Sequence, residues 1–195
     1  MILLHGRGGF AQEMFSLGDA LGGSGFAYLA PQAADYTWYP ASFLAPLEEN
    51  EPYLSSALKK VESIVQLAIA AAMSPETIVI VGFSQGACLA TEFVARHPRK
   101  YAGLVALSGG LIGPPGADLS HPGSLARTPA FFGSADPDQH VPWRRVQHSA
   151  EILREMGADV ELQRYPGMPH SIFQGEVESA REHLLNLSPL LRMSN

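Results

Sequence analysis

Gly82-Phe83-Ser84-Gln85-Gly86 sets a serine between two glycines, directly after the apolar run Thr77-Ile78-Val79-Ile80-Val81 and before a helical pattern from about Gln85 to His97. A hydroxyl on such a strand-to-helix turn is held at the helix N-terminus, where developing negative charge is favoured, and the glycines let the flanking backbones approach closely. A serine hydroxyl is a weak nucleophile, so a base and an orienting acid must come from elsewhere. His170, in Pro166-Gly167-Met168-Pro169-His170, follows the last predicted strand and is the best-placed of the seven histidines. The acid is sought in Gly133-Ser134-Ala135-Asp136-Pro137-Asp138, which follows the Phe131-Phe132 strand; Asp136 stands first and Asp138 competes with it. Serine, aspartate, histidine in that chain order suits nucleophilic acyl transfer through a covalent intermediate.

Acyl transfer also requires N–H donors for the tetrahedral oxyanion. The main chain of Gln85 supplies one, and the turn His5-Gly6-Arg7-Gly8-Gly9 after the first strand supplies the other through Arg7. This glycine turn lacks the spacing of a phosphate-binding or dinucleotide loop. His5 is read as holding the turn by hydrogen bonds, with substrate contact as the alternative. Of the aromatic residues Tyr36, Trp38, Tyr39 and Phe43 in the long loop, Trp38 and Tyr39 are taken with Met168 as substrate-binding. The Arg7 side chain has two readings, attraction of a carboxylate or phosphate on the substrate and a solvated or internally paired arginine. Cys88 packs under the serine turn, and His97, His121, His140, His148 and His183 are given surface or capping roles.

These residues need strand ends to carry them. Short apolar runs at Ile2–Leu4, Ala27–Ala30, Thr77–Val81, Leu104–Leu107, Ala130–Phe132 and Asp159–Tyr165 alternate with helical patterns at about 11–21, 55–73, 85–97, 143–156 and 176–187. Alternation of this kind, without hairpin turns, predicts an α/β fold with a mostly parallel sheet and helices on both faces. Ligands then bind beyond the carboxyl ends of the strands, where all the candidate residues lie. The 195 residues, 46% of them hydrophobic, suit one globular domain, with no linker or repeat to divide it. A formal charge of -6 works against nucleic acid or an anionic membrane surface as a partner. One cysteine permits no internal disulfide and no cysteine-rich metal site, and the start of the chain has no export signal, so a cytoplasmic protein without metal or organic cofactor is expected.

Together, Leu3-Leu4-His5-Gly6-Arg7-Gly8-Gly9, Gly82-Phe83-Ser84-Gln85-Gly86-Ala87, Leu107-Ser108-Gly109-Gly110, the segment from Gly133 through Asp136-Pro137 to Val141-Pro142, and Gly167-Met168-Pro169-His170 resemble the phospholipase/carboxylesterase family of the α/β-hydrolase superfamily. The resemblance implies a small hydrolase without a large cap domain, starting at its first catalytic strand. It implies Ser84 as nucleophile, Asp136 as acid, His170 as base, and Arg7 and Gln85 as oxyanion donors. Its substrates would be small or acyl-chain esters, thioesters or lysophospholipids, and the chain a monomer or homodimer. Arg7-Gly8-Gly9 stands where the family often has Leu-Gly-Asp. Pro137-Asp138-Gln139-His140 is a longer insert than the usual Asp-Pro-x-Val-Pro, which leaves Asp138 open as the acid. The alternatives are a dienelactone-type hydrolase, a group that often carries cysteine at the nucleophile position, and a non-catalytic binding protein on the same scaffold.

Overall fold

The computed structural model describes residues 1–22 and 25–187. Ten main elements follow in the order β1 (Ile2–Leu4), α1 (Glu13–Gly22), α2 (Tyr53–Ala70), β2 (Val79–Phe83), α3 (Gln85–Arg96), β3 (Gly103–Leu107), β4 (Pro129–Asp136), α4 (Trp143–Glu155), β5 (Asp159–Pro166) and α5 (Gln174–Leu187). The strands form one parallel sheet in chain order, β1-β2-β3-β4-β5.

Alternation along each strand sorts its side chains between two apolar layers. Ile2, Leu4, Ile80, Leu104, Ala106, Ala130 and Phe132 face the layer under α2, α3 and α4. Leu3, Val79, Val81, Val105, Leu107 and Phe131 face the other, where α1 contributes Met14, Leu17 and Leu21 and α5 contributes Val177, Ala180 and Leu184. Because both faces are covered, the inner strands read as continuous apolar runs. Helix α3 is buried along nearly its whole length, which explains the small residues Gly86, Ala87, Ala90 and Ala95 in it. No large cap domain is inserted among the described residues.

The structure differs from the sequence reading in two places that matter. Ala27–Ala30 is not a full strand: it makes a single parallel bridge, Ile2 to Leu29, because β1 is only three residues long and leaves little edge to pair with. Strand β4, expected over Ala130–Phe132, runs on to Asp136, with each residue through Asp136 paired to β5. The loop beyond β4 therefore begins later than expected, and this decides which aspartate can reach the histidine.

Candidate active site

Ser84 has φ 54° and ψ −119°, a conformation sparsely populated by non-glycine residues and costing on the order of 1–3 kcal/mol. The packing around it enforces that geometry. A Cβ on Gly82 would lie 2.2 Å from the Gly86 carbonyl oxygen, and a Cβ on Gly86 would lie 2.1 Å from that of Leu4. Any side chain at either position would push β1, β2 and α3 apart. The Ser84 N–H donates to the Leu107 carbonyl at 2.9 Å, which ties the turn to β3.

His170 reaches this serine from the loop after β5, with Nε2 2.8 Å from Ser84 Oγ. Its Nδ1 lies 2.6 Å from Asp138 Oδ2. If Nδ1 carries the proton, Nε2 is free to accept from the hydroxyl. The ring of His170 also contacts that of Phe83, with centroids 5.2 Å apart. Asp138 has no exposed side-chain surface. Burial raises its pKa, but the hydrogen bonds from His170 and from the Val141 and His140 N–H groups outweigh it, so the carboxyl sits below its usual range.

The first-choice acid, Asp136, is corrected by this geometry. Asp136 is the last residue of β4, and its carboxylate pairs with Arg164 of the neighbouring strand. Only after the chain leaves the sheet at Pro137 does a carboxylate turn toward His170. A signal for this contact was present: Asp138-Gln139-His140-Val141-Pro142 keeps the three-residue step from aspartate to Val-Pro, whereas the Asp136-Pro137 dipeptide draws attention to Asp136. The step has a physical basis, because Asp138 Oδ1 accepts from the N–H groups of His140 at 2.7 Å and Val141 at 2.9 Å.

A cavity of about 450 Å³ opens over Ser84 and is lined in part by Gly6, Arg7, Tyr39, Phe43, Gln85 and His140. Neither the Arg7 nor the Gln85 main-chain N–H has a protein acceptor among the described residues. Gln85 directly follows Ser84 in the chain, and Arg7 lines the same cavity as the serine.

Of the two readings open for the Arg7 side chain, the structure shows the internally paired one. Its guanidinium donates to the carbonyls of Pro40 at 2.9 Å, Tyr39 at 3.0 Å and Ala41 at 2.8 Å. It is a clamp on the long loop that walls the cavity. Gln85 clamps the same loop from α3: its Oε1 accepts from the Trp38 N–H at 3.0 Å, and its Nε2 donates to the Tyr39 carbonyl at 2.8 Å. Asn50, wholly buried, bridges the Ala41 N–H and the Ser42 carbonyl. A loop with so many anchored backbone groups is a rigid wall.

Of the predicted substrate contacts, Tyr39 lines the cavity, as does Phe43. Trp38 does not: its indole is buried, donates to the His5 carbonyl at 2.8 Å and packs on the His5 ring. Met168 does not either, since the Gly167 turn leaves it exposed outside the lining. His5 is structural. It is buried, with Nδ1 2.7 Å from the Gly6 carbonyl and Nε2 accepting from the Ala33 N–H at 3.1 Å. Cys88 forms part of the cavity floor, where burial pushes its thiol up to about 12 and leaves it inert at neutral pH. Sequence reasoning missed His140, which was assigned to a surface loop.

No group of residues among those described is arranged to hold a metal ion. No helix among them is long and apolar enough to cross a membrane.

The chain is similar in sequence and fold to several known proteins. A phospholipase/carboxylesterase from Dyadobacter fermentans is 43% identical, with a TM-score of 0.90 over 94% of this chain and 88% of that one. Acyl-protein thioesterase 1 of Saccharomyces cerevisiae is 36% identical over 138 residues, 67% of this chain and 58% of the yeast protein. Carboxylesterase SOBER1 of Arabidopsis thaliana is 29% identical over 134 residues, 69% of this chain and 58% of the plant protein. The chain thus spans a little under three-fifths of these two curated relatives. The family model for phospholipase/carboxylesterase matches residues 1–188, from the first strand past the His170 loop, and the chain belongs to that family.

Proposed function

We propose that the protein is a serine carboxylic-ester hydrolase acting through an acyl-enzyme, with Ser84 as nucleophile, His170 as base and Asp138 as the acid that orients it. The observation that carries this is the continuous relay Ser84 Oγ, His170 Nε2, His170 Nδ1, Asp138 Oδ2, with steps of 2.8 and 2.6 Å.

Ser84 Oγ attacks the ester or thioester carbonyl as Nε2 takes its proton, and the Asp138 carboxylate stabilises the imidazolium that forms. The Arg7 and Gln85 N–H groups bind the oxyanion. Collapse of the tetrahedral species breaks the bond to the alcohol or thiol, which leaves with the proton from Nε2. Water, deprotonated by the same nitrogen, then attacks the acyl-enzyme and releases the acid. Names of relatives that include carboxylesterase and acyl-protein thioesterase support ester and thioester substrates. No step needs a metal or an organic cofactor.

The test is labelling with a fluorophosphonate probe, run beside Ser84→Ala, with turnover of nitrophenyl esters of rising chain length. Labelling that disappears in the variant, with kcat falling about 10⁴-fold or more, is the expected result. Equal labelling of both proteins would refute the assignment of Ser84.

A further inference from the structure

His140 takes no part in the reaction above, yet it lines the cavity with Ser84, Arg7 and His170. It is exposed, and its ring meets that of His170 edge to face, with centroids 4.9 Å apart and planes at 66°. Its backbone N–H is fixed to Asp138, while among the described residues no hydrogen bond engages its ring nitrogens. An imidazole anchored by its main chain and free at its ring is positioned to meet a ligand.

The charge around it is one-sided. The protein as a whole has a formal charge of -6, but the cavity lining includes Arg7, His140 and His170 and no acidic side chain. Asp138, on the same loop, is fully covered and committed to His170 and two N–H groups. The Arg7 guanidinium is held by neutral carbonyls, and among the described residues no carboxylate pairs with it. On the opposing elements, burial keeps the Tyr39 phenol and the Cys88 thiol un-ionised. A proton on His140 therefore adds a cation to a cavity that contains no anion, and such a cleft draws in ligands of opposite charge.

We propose that His140 is a specificity residue: in its protonated form it selects esters whose alcohol portion carries a carboxylate. The alcohol side follows from the contact with His170, because the leaving oxygen takes its proton from Nε2 of that ring. The inference rests on the hydrolase reading above.

The experiment compares kcat/KM for para-nitrophenyl butyrate and for its analogue carrying a carboxylate on the phenol ring, from about pH 6 to about pH 8.5. Any effect of pH common to both esters cancels in their ratio. The preference for the anionic ester is expected to fall about 3- to 10-fold as pH rises, the scale of one partly exposed charge pair. His140→Gln should hold the ratio at its high-pH value, and His140→Lys should keep it high throughout. A pH-independent ratio in the wild type, or the same slope in His140→Gln, overturns the proposal. Absence of turnover on the neutral ester instead overturns the hydrolase reading and this inference with it.

Discussion

His170 Nδ1 lies 2.6 Å from a carboxylate oxygen of Asp138, two residues beyond the aspartate that ends β4. Asp138 thus sits outside the sheet, on a short arch to Val141, and the strand-end Asp136 is left to pair with Arg164.

Asp138→Asn should lower kcat about 10³- to 10⁴-fold on a nitrophenyl ester, as loss of the orienting carboxylate does in comparable relays. Asp136→Asn should stay within a few-fold of wild type, because it loses only a partly exposed ion pair at the sheet edge. Reversal of that ranking in steady-state assays would return the acid role to Asp136.

Arg7→Ala leaves the main-chain donor in place but removes the clamp on the carbonyls of Tyr39, Pro40 and Ala41. The expected outcome is a raised KM and a melting temperature lower by several degrees, on the order of 1–2 kcal/mol. Arg7→Leu belongs in the same assay: if neither variant moves KM or stability, the loop is held by Gln85 and Asn50 alone.

Glu176, in the first turn of α5, is buried against Gly133, and among the described residues no cation pairs with it. Burial raises its carboxyl pKa to about 8. The folded protein then keeps a proton that the unfolded chain releases above its ordinary 4.5, so stability falls as pH rises from about 4.5 to about 8 and levels off beyond. Glu176→Gln should remove this dependence, gaining on the wild type by about 5 kcal/mol across the window. Urea midpoints at several pH values check it; parallel profiles for the two proteins would mean that Glu176 is ionised in the fold.

Cys88 should resist thiol reagents in the native protein and react only on unfolding, as its buried thiol near 12 dictates. Rapid native modification by a disulfide reagent would place it on an accessible surface.

Most of the fold was legible because periodicity and turn residues carry it. The glycines of the serine turn, the fully apolar β2 and the position of His170 after β5 were each readable from local pattern. Which aspartate meets His170 was not, because strand length depends on pairing with β5, and nothing within Pro129–Asp136 marks where that pairing ends. Trp38 was misassigned, and the role of the Arg7 side chain was left open, for a related reason. Their partners, His5 and the carbonyls of residues 39–41, lie some thirty positions away along the chain, and a hydrogen bond of that span leaves no local trace. His140 went unnoticed because its importance comes from an arch that only the acid defines.

The order of the sheet has a consequence for how the protein fails. Ser84 follows the interior strand β2 and His170 follows β5, an edge strand whose residues are partly buried or exposed. Opening of β5 and its following loop would separate His170 from Ser84 while the layers around β2 and β3 stay packed. Such partial openings need less free energy than global unfolding. Thermal inactivation is therefore governed by the periphery of the molecule rather than its centre: turnover should disappear at a lower temperature than the interior melts. Cross-links between β4 and β5 should extend the working range more than any improvement to the core.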